Sequence, residues 1–145
     1  LADTELFSMT HTASQARIKV LATTVLSHYD EAYCQRHFKR TLRESVMHFA
    51  EVAYNAGCHG VVVPGTQLNA ISEISTIKAV SGIRPVWFKD DRHQQQVTPE
   101  DAVAGGADVL VCGSPVMKSP NPAEALLKIF NEIRLVGSDI GFSKS

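Results

Sequence analysis

Four places in the sequence carry groups that can hold a small anionic ligand. Ser27 closes a strand-length apolar run, Ile18-Lys19-Val20-Leu21-Ala22-Thr23-Thr24-Val25-Leu26, so its hydroxyl stands at a strand end. Arg84 follows Gly82-Ile83 and leads into a polar stretch, Val86 to Gln96, that contains His93 and Gln94. Gly113 and Ser114 end another apolar run that starts at Asp108. A glycine there lets the backbone approach a ligand closely, so the N–H groups of Gly113 and Ser114 can face a phosphate oxygen. Each place also has a plainer reading. Ser27 can be a solvent-facing cap beside His28, Arg84 half of a structural ion pair, the polar stretch a surface loop, and Gly113 a tight turn.

The elements that must position these groups alternate in type. The run from Ile18 is followed by Thr41-Leu42-Arg43-Glu44, a capping box that starts a helix. Leu42, Val46, Phe49, Ala50, Ala53 and Ala56 recur at helical spacing, and Gly57 is placed to end the helix. A second apolar run covers Gly60-Val61-Val62-Val63, and a shorter helical pattern follows on Leu68, Ile71 and Ile74. Thr76 to Val80 forms the third run. After the polar stretch, Thr98-Pro99-Glu100-Asp101 supplies a Thr cap, a first-turn proline and acids that face the helix dipole. The fourth run is Asp108 to Gly113, and Asn121-Pro122-Ala123-Glu124 begins a last helix.

The order β-α-β-α-β-loop-α-β-α, with near-continuous apolar strands, predicts a parallel α/β architecture covered by helices. Two arrangements fit: an open doubly wound sheet, or half of a (β/α)8 barrel, whose full form averages about 250 residues. The 145 residues are read as a single domain, with peripheral segments at 1–17, partly helical beside the first strand, and at 137–145.

Composition narrows the function classes. A formal net charge of −1 without a basic run argues against a nucleic-acid partner or an anionic membrane surface. No stretch of about 18 apolar residues predicts a membrane span, and the opening residues do not read as a signal peptide. Cys34, Cys58 and Cys112 lack CxxC spacing, which suggests reduced thiols in the cytoplasm and no metal centre or disulfide framework.

Several segments, taken in order, resemble the orotidine-5'-phosphate decarboxylase family. Thr24-Val25-Leu26-Ser27 is similar to the end of that family's fifth strand, and Ala56-Gly57-Cys58-His59-Gly60-Val61-Val62-Val63 to its A-G-x-D-G-V-V region. Ser81-Gly82-Ile83-Arg84-Pro85 with Val97-Thr98-Pro99 resembles T-P-G-I-R-P…x-T-P, and Gly106 to Pro115 resembles G-A-D-x-x-V-x-G-R-P. The resemblance runs from about Ile18 to Ile133 and covers strands five to eight, so it implies the half-barrel. It implies a nucleoside monophosphate of the OMP or UMP kind as ligand and no cofactor. Ser27 would read the pyrimidine edge, and His93 or Gln94 would take the place of a glutamine that bridges base and phosphate. Arg84 would anchor the loop or help the phosphate, and Gly113 and Ser114 would line its turn.

Two departures limit that expectation. Ser114 stands where the family has an arginine that grips the phosphate, and Ser81 where it has proline. The D-x-K-x-x-D segment that carries the family's lysine–aspartate chemistry does not occur in these residues; Lys89-Asp90-Asp91 reads as a solvated charge cluster. The chain alone is therefore expected to be inactive, and no catalytic residue is assigned. A non-catalytic nucleotide-binding half-barrel or scaffold is the alternative. A related hexulose-phosphate synthase reading is not favoured, because its metal would need the same missing acids. Four strands would leave two edges and one apolar face open, so a homodimer or a complementary half-barrel is expected to cover Val20, Ala22, Val62, Ala79 and Leu110.

Overall fold

The computed structural model describes residues 2–89 and 94–139. Four strands, β1 (Leu21–Thr23), β2 (Gly60–Pro64), β3 (Ile77–Ser81) and β4 (Val109–Leu110), lie side by side in sequence order, and every neighbouring pair is parallel. A doubly wound sheet reverses its strand order at a switch point. This sheet does not reverse, so each crossover runs the same way, as in four consecutive strands of a (β/α)8 barrel. The strands are shorter than their apolar runs: β1 keeps three residues of the nine in its run, and β4 only two. Past them the pairing continues through single bonds, from the Thr24 N–H to the Val62 carbonyl and from the Val111 N–H to the Val80 carbonyl.

Around the strands lie helices α1 (Ala2–Gln15), α2 (Glu31–Phe38), α3 (Leu42–Asn55), α4 (Pro99–Ala104), α5 (Ser114–Met117) and α6 (Pro122–Asp139). A 3-10 helix, Gly65–Ile71, takes the place of the short helical pattern after β2. The capping box forms in full: the Thr41 hydroxyl accepts from the Glu44 N–H at 3.1 Å, and the Glu44 carboxylate accepts from the Thr41 N–H at 2.8 Å. Gly57 follows α3 with φ +79°, the left-handed turn its position suggested. Thr98 caps α4 through the Asp101 N–H, and Asn121 caps α6 through the Glu124 N–H. The last helix runs through Gly137 to Asp139, so residues 137–139 of the expected terminal tail are helical, and residues 140–145 lie outside the described residues. Among the described residues, no helix is long and apolar enough to cross a membrane.

The core sits between one face of the sheet and the helices. Val61, Val63 and Val80 are fully buried against Val46, Ala50 and Ala53 of α3, Leu68 and Ile71 of the 3-10 helix, and Ala102 of α4. Pairing register decides which residues face the other way. Leu21 pairs with Gly60, Thr23 with Val62, Val62 with Ala79 and Ala79 with Val109, so these share the face away from the helices. That corrects the expectation for the open face. Val62 and Ala79 lie on it, whereas Val20, Ala22 and Leu110 pack toward the helical core. Of the residues on the open face, Leu21 and Val109 stay exposed, but Ala79 is already covered.

The N-terminal end of the sheet is tied together by His59. Its Nδ1 accepts from the Val20 N–H at 3.0 Å, its own N–H donates to the Val20 carbonyl at 2.9 Å, and its Nε2 lies 3.4 Å from the Ser14 hydroxyl of α1. One side chain thus joins α1 to the start of β1 and β2. Thr10 of α1 is buried with its hydroxyl 3.5 Å from the Cys58 sulfur, so the first helix is seated on the fold.

Three substitutions test the stability of this frame. Thr41→Ala should cost about 1 kcal/mol in urea unfolding, through loss of the cap. The backbone and hydroxyl donors of Thr41 hold the Glu44 carboxyl below its ordinary range. Its contribution is therefore complete above the ordinary carboxylate range and is lost as pH falls through the lowered Glu44 titration. Glu44→Gln should flatten the urea midpoint between pH 3 and 6, and an unchanged pH profile would refute the assignment. At Gly60 an added Cβ would stand 2.5 Å from Leu21 Cδ2 and 2.7 Å from both Cβ and the carbonyl oxygen of Ile77. Backbone cannot swing aside as a leucine tip can, so Gly60→Ala should destabilise by about 1–3 kcal/mol in the same assay.

Candidate functional site

Parallel strands deliver their C-terminal ends to one end of the sheet, and there the candidate residues meet. After β1 the chain stays paired with β2, because the N–H and hydroxyl of Thr24 both donate to the Val62 carbonyl, at 3.0 and 2.9 Å. This holds the following Val25 and Ser27 in buried positions, with Ser27 only 5% exposed. Gly82, just past β3, has φ +79°, and a Cβ there would lie 3.1 Å from the Ser27 Cβ and overlap the Gln95 carbonyl oxygen. Only a residue without a side chain lets these three segments come so close.

The polar stretch is anchored at both limbs. On the outgoing limb, the Trp87 Nε1 donates to Glu132 of α6 at 2.9 Å, and the Lys128 Nζ lies 5.8 Å from the Trp87 ring centroid. On the returning limb, Val97 pairs in parallel with Ile83: the Val97 N–H donates to the Gly82 carbonyl at 3.1 Å, and the Arg84 N–H to the Val97 carbonyl at 2.8 Å. Val97 also sits where a side chain on Gly65 would be, so Gly65 makes room for this limb against β2. Two residues earlier in the seam, the Gln95 N–H donates to the Ser27 carbonyl at 2.9 Å. The Gln95 side chain accepts from the Thr66 hydroxyl at 2.5 Å through Oε1 and approaches the Tyr29 carbonyl at 3.4 Å through Nε2.

Arg84 is buried, at 7% exposure, beside the end of β4. Its Nη1 donates to the Ile83 carbonyl at 2.7 Å, and its guanidinium carbon lies 5.6 Å from the Phe88 ring centroid. Its charge reaches Cys112: burial pushes the Cys112 thiol above its ordinary range, and Arg84 opposes that rise. Cys112 precedes the Gly113–Ser114 turn, where a Cβ added to Gly113 would meet no atom within 4 Å. The Gly113 carbonyl accepts from the Met117 N–H at 2.9 Å and so opens the single turn of α5.

Ser27, Arg84, Gly113 and Ser114 therefore lie at the same end of the sheet, with Ser27 beside the Gly82 seam and Arg84 beside the β4 end. Gln94 is at this end too but is exposed. His93 lies outside the described residues. Reading the sequence did not single out Gln95 or Thr66. Gln95 is the middle of three consecutive glutamines, which nothing in the sequence ranks, and Thr66 gains its role only once Gly65 has turned the chain toward Val97. The helix α2 was also missed; Asp30 caps it through the Tyr33 N–H at 2.7 Å. It sets Tyr29 and Tyr33 in a stack with centroids 3.7 Å apart, at the rim next to Ser27.

Residues 5–129 match the family described as orotidine 5'-phosphate decarboxylase / HUMPS family. Among curated proteins, the orotidine 5'-phosphate decarboxylase of Geotalea daltonii is 36% identical over 82% of this chain and 52% of its own length. That of Paramagnetospirillum magneticum is 33% identical over 80% of this chain and 51% of its own. The chain thus spans about half the length of the curated relatives it matches. An orotidine 5'-phosphate decarboxylase structure from Lactobacillus acidophilus superposes with a TM-score of 0.63 at 24% identity, covering 80% of this chain and 49% of that one, a likeness of fold alone. With four parallel strands in barrel order and a family match over most of its residues, the chain belongs to the orotidine 5'-phosphate decarboxylase / HUMPS family.

Proposed function

We propose that this chain is the substrate-binding half of an orotidine 5'-phosphate decarboxylase-type site, one that takes a nucleoside monophosphate such as OMP or UMP. The observation that carries this reading is the gathering of Ser27, Arg84 and the Gly113–Ser114 turn at one end of a half-barrel, in the order in which the family presents them. Ser27 would read the pyrimidine edge. Arg84 and the turn would face the phosphate, and His93 or Gln94 would span the two. The lysine and aspartates of a D-x-K-x-x-D segment would come from a complementary half-barrel, and the decarboxylation of OMP to UMP in pyrimidine biosynthesis would need that half. A cytoplasmic setting suits the three cysteines, which form no disulfide.

A complementary half also answers a physical need. The edge strands β1 and β4 present backbone to solvent, and Leu21, Val109 and Val111 are exposed beside them. Leu126, Leu127 and Phe130 of α6, the helix packed on α4 and α5, are each more than half exposed. A second copy of the chain could cover these surfaces but would bring no lysine array, so a homodimer would bind without turnover. Ser114 favours keeping that non-catalytic reading, because a hydroxyl gives up the charge of the family's arginine.

Three measurements test the proposal. Light scattering should show a dimer, or a complex with a supplied half-barrel, at micromolar concentration; a well-folded monomer would overturn the assembly. Calorimetry should detect UMP, with Ser114→Arg tightening it about ten- to a hundredfold, the worth of a charge-assisted contact. No heat at millimolar UMP from either protein would overturn ligand binding. Mixing with the lysine-bearing N-terminal half of a curated relative should release carbon dioxide from OMP. Binding without any such release would leave the non-catalytic reading standing alone.

A further inference from the structure

Gln95 stands where the ends of three strands converge, and it touches all three. Its N–H holds the Ser27 carbonyl beyond β1, its Oε1 takes the hydroxyl of Thr66 beyond β2, and its carbonyl oxygen lies against Gly82 beyond β3. Its Nε2 reaches the Tyr29 carbonyl two residues past Ser27. A carboxamide is needed for this pattern, because one end must accept from Thr66 while the other donates to a carbonyl. Glutamate would set an anion against the Tyr29 carbonyl, and leucine would keep the bulk and lose both bonds.

We infer that Gln95 is a positioning residue that fixes Ser27, and through it the preference of this half-site for a pyrimidine base. The inference rests on the reading of Ser27 proposed above. The mechanical case is local. Gln95 grips the backbone at Ser27 itself and again two residues on, at the Ser27 and Tyr29 carbonyls, so the Ser27 hydroxyl inherits its placement. The Ile83–Val97 pairing holds the returning limb independently, and so a Gln95 variant should keep the fold while Ser27 loses its fixed setting. The hydrogen bonds of Gln95 go to Ser27, Tyr29 and Thr66, so the phosphate end near Arg84 and Gly113 should be left in place.

The test compares UMP with ribose 5-phosphate, which has the phosphate and sugar but no base, by calorimetry on the full chain. Gln95→Leu should weaken UMP about tenfold, the scale of one or two lost hydrogen bonds, and leave ribose 5-phosphate within about twofold. Glu51→Gln, on the exposed face of α3, should change neither. Ser27→Ala should show the same selective loss, and the double variant Gln95→Leu/Ser27→Ala should lose no more than Ser27→Ala alone, because the two act as one unit. Thr66→Val, followed by amide exchange, should speed exchange at the Gln95 N–H while the α3 amides keep their protection. Additive losses in the double variant, equal losses for both ligands, or unchanged exchange in Thr66→Val would overturn the positioning role. If the unaltered chain bound UMP no better than ribose 5-phosphate, the reading of Ser27 would fail first and take this one with it. Normal UMP preference with an additive cycle would sink this inference alone.

Discussion

Parallel pairing in strict sequence order governs the rest of this structure. Every connection between strands must return from one end of the sheet to the other, and it does so on the helical side, which puts the whole apolar core there. The same rule sends all four C-terminal ends to a single end. Residues separated by more than eighty positions, Ser27 and Ser114, share that end because the ladder is parallel. The rule also has a cost: four strands cannot close, so the second face of the sheet and both its edges are left for another surface to cover.

The two ends of the sheet are built for different purposes. At the N-terminal end the contacts are dense and local, with Gly60 wedged between Leu21 and Ile77 and His59 joining α1, β1 and β2. At the C-terminal end the segments are long and polar, and they are secured by a few specific bonds: Trp87 to Glu132 on the way out, Gln95 and Val97 on the way back. Gly113 there faces open space. The tight glycine and histidine contacts thus lie at one end of the strand axis and the open Gly113 turn at the other.

Much of this was legible in the residues themselves. The capping box at Thr41, the Thr98-Pro99 start and the Asn121 cap are local signals, settled within four residues, and each helix begins where its signal stands. The face of each strand was harder to read. Val20, Ala22, Val62, Ala79 and Leu110 are all apolar, and a strand apolar on both faces carries no alternation to tell core from open side; only register separates them. The Gln95 seam was out of reach for a different reason. It depends on four segments far apart in sequence meeting through two glycines, Gly65 and Gly82, whose importance lies in what their missing side chains admit.

The phosphate end of the proposed site turns on where positive charge is held. Ser114 brings none, so a dianion near the Gly113 turn would depend on Arg84. A buried guanidinium acts through a medium less polarisable than water, where its field falls off more slowly than at a surface. Arg84 cannot move far to meet a ligand, since Ile83 and Phe88 hold its guanidinium in place. Its contribution would then be a fixed field rather than a closing two-pronged grip. Such a site would keep a preference for anions while losing the geometric selectivity that a bidentate arginine gives. For this half-barrel, discrimination among phosphorylated ligands would rest chiefly on the base end, at Ser27 and the residue that holds it.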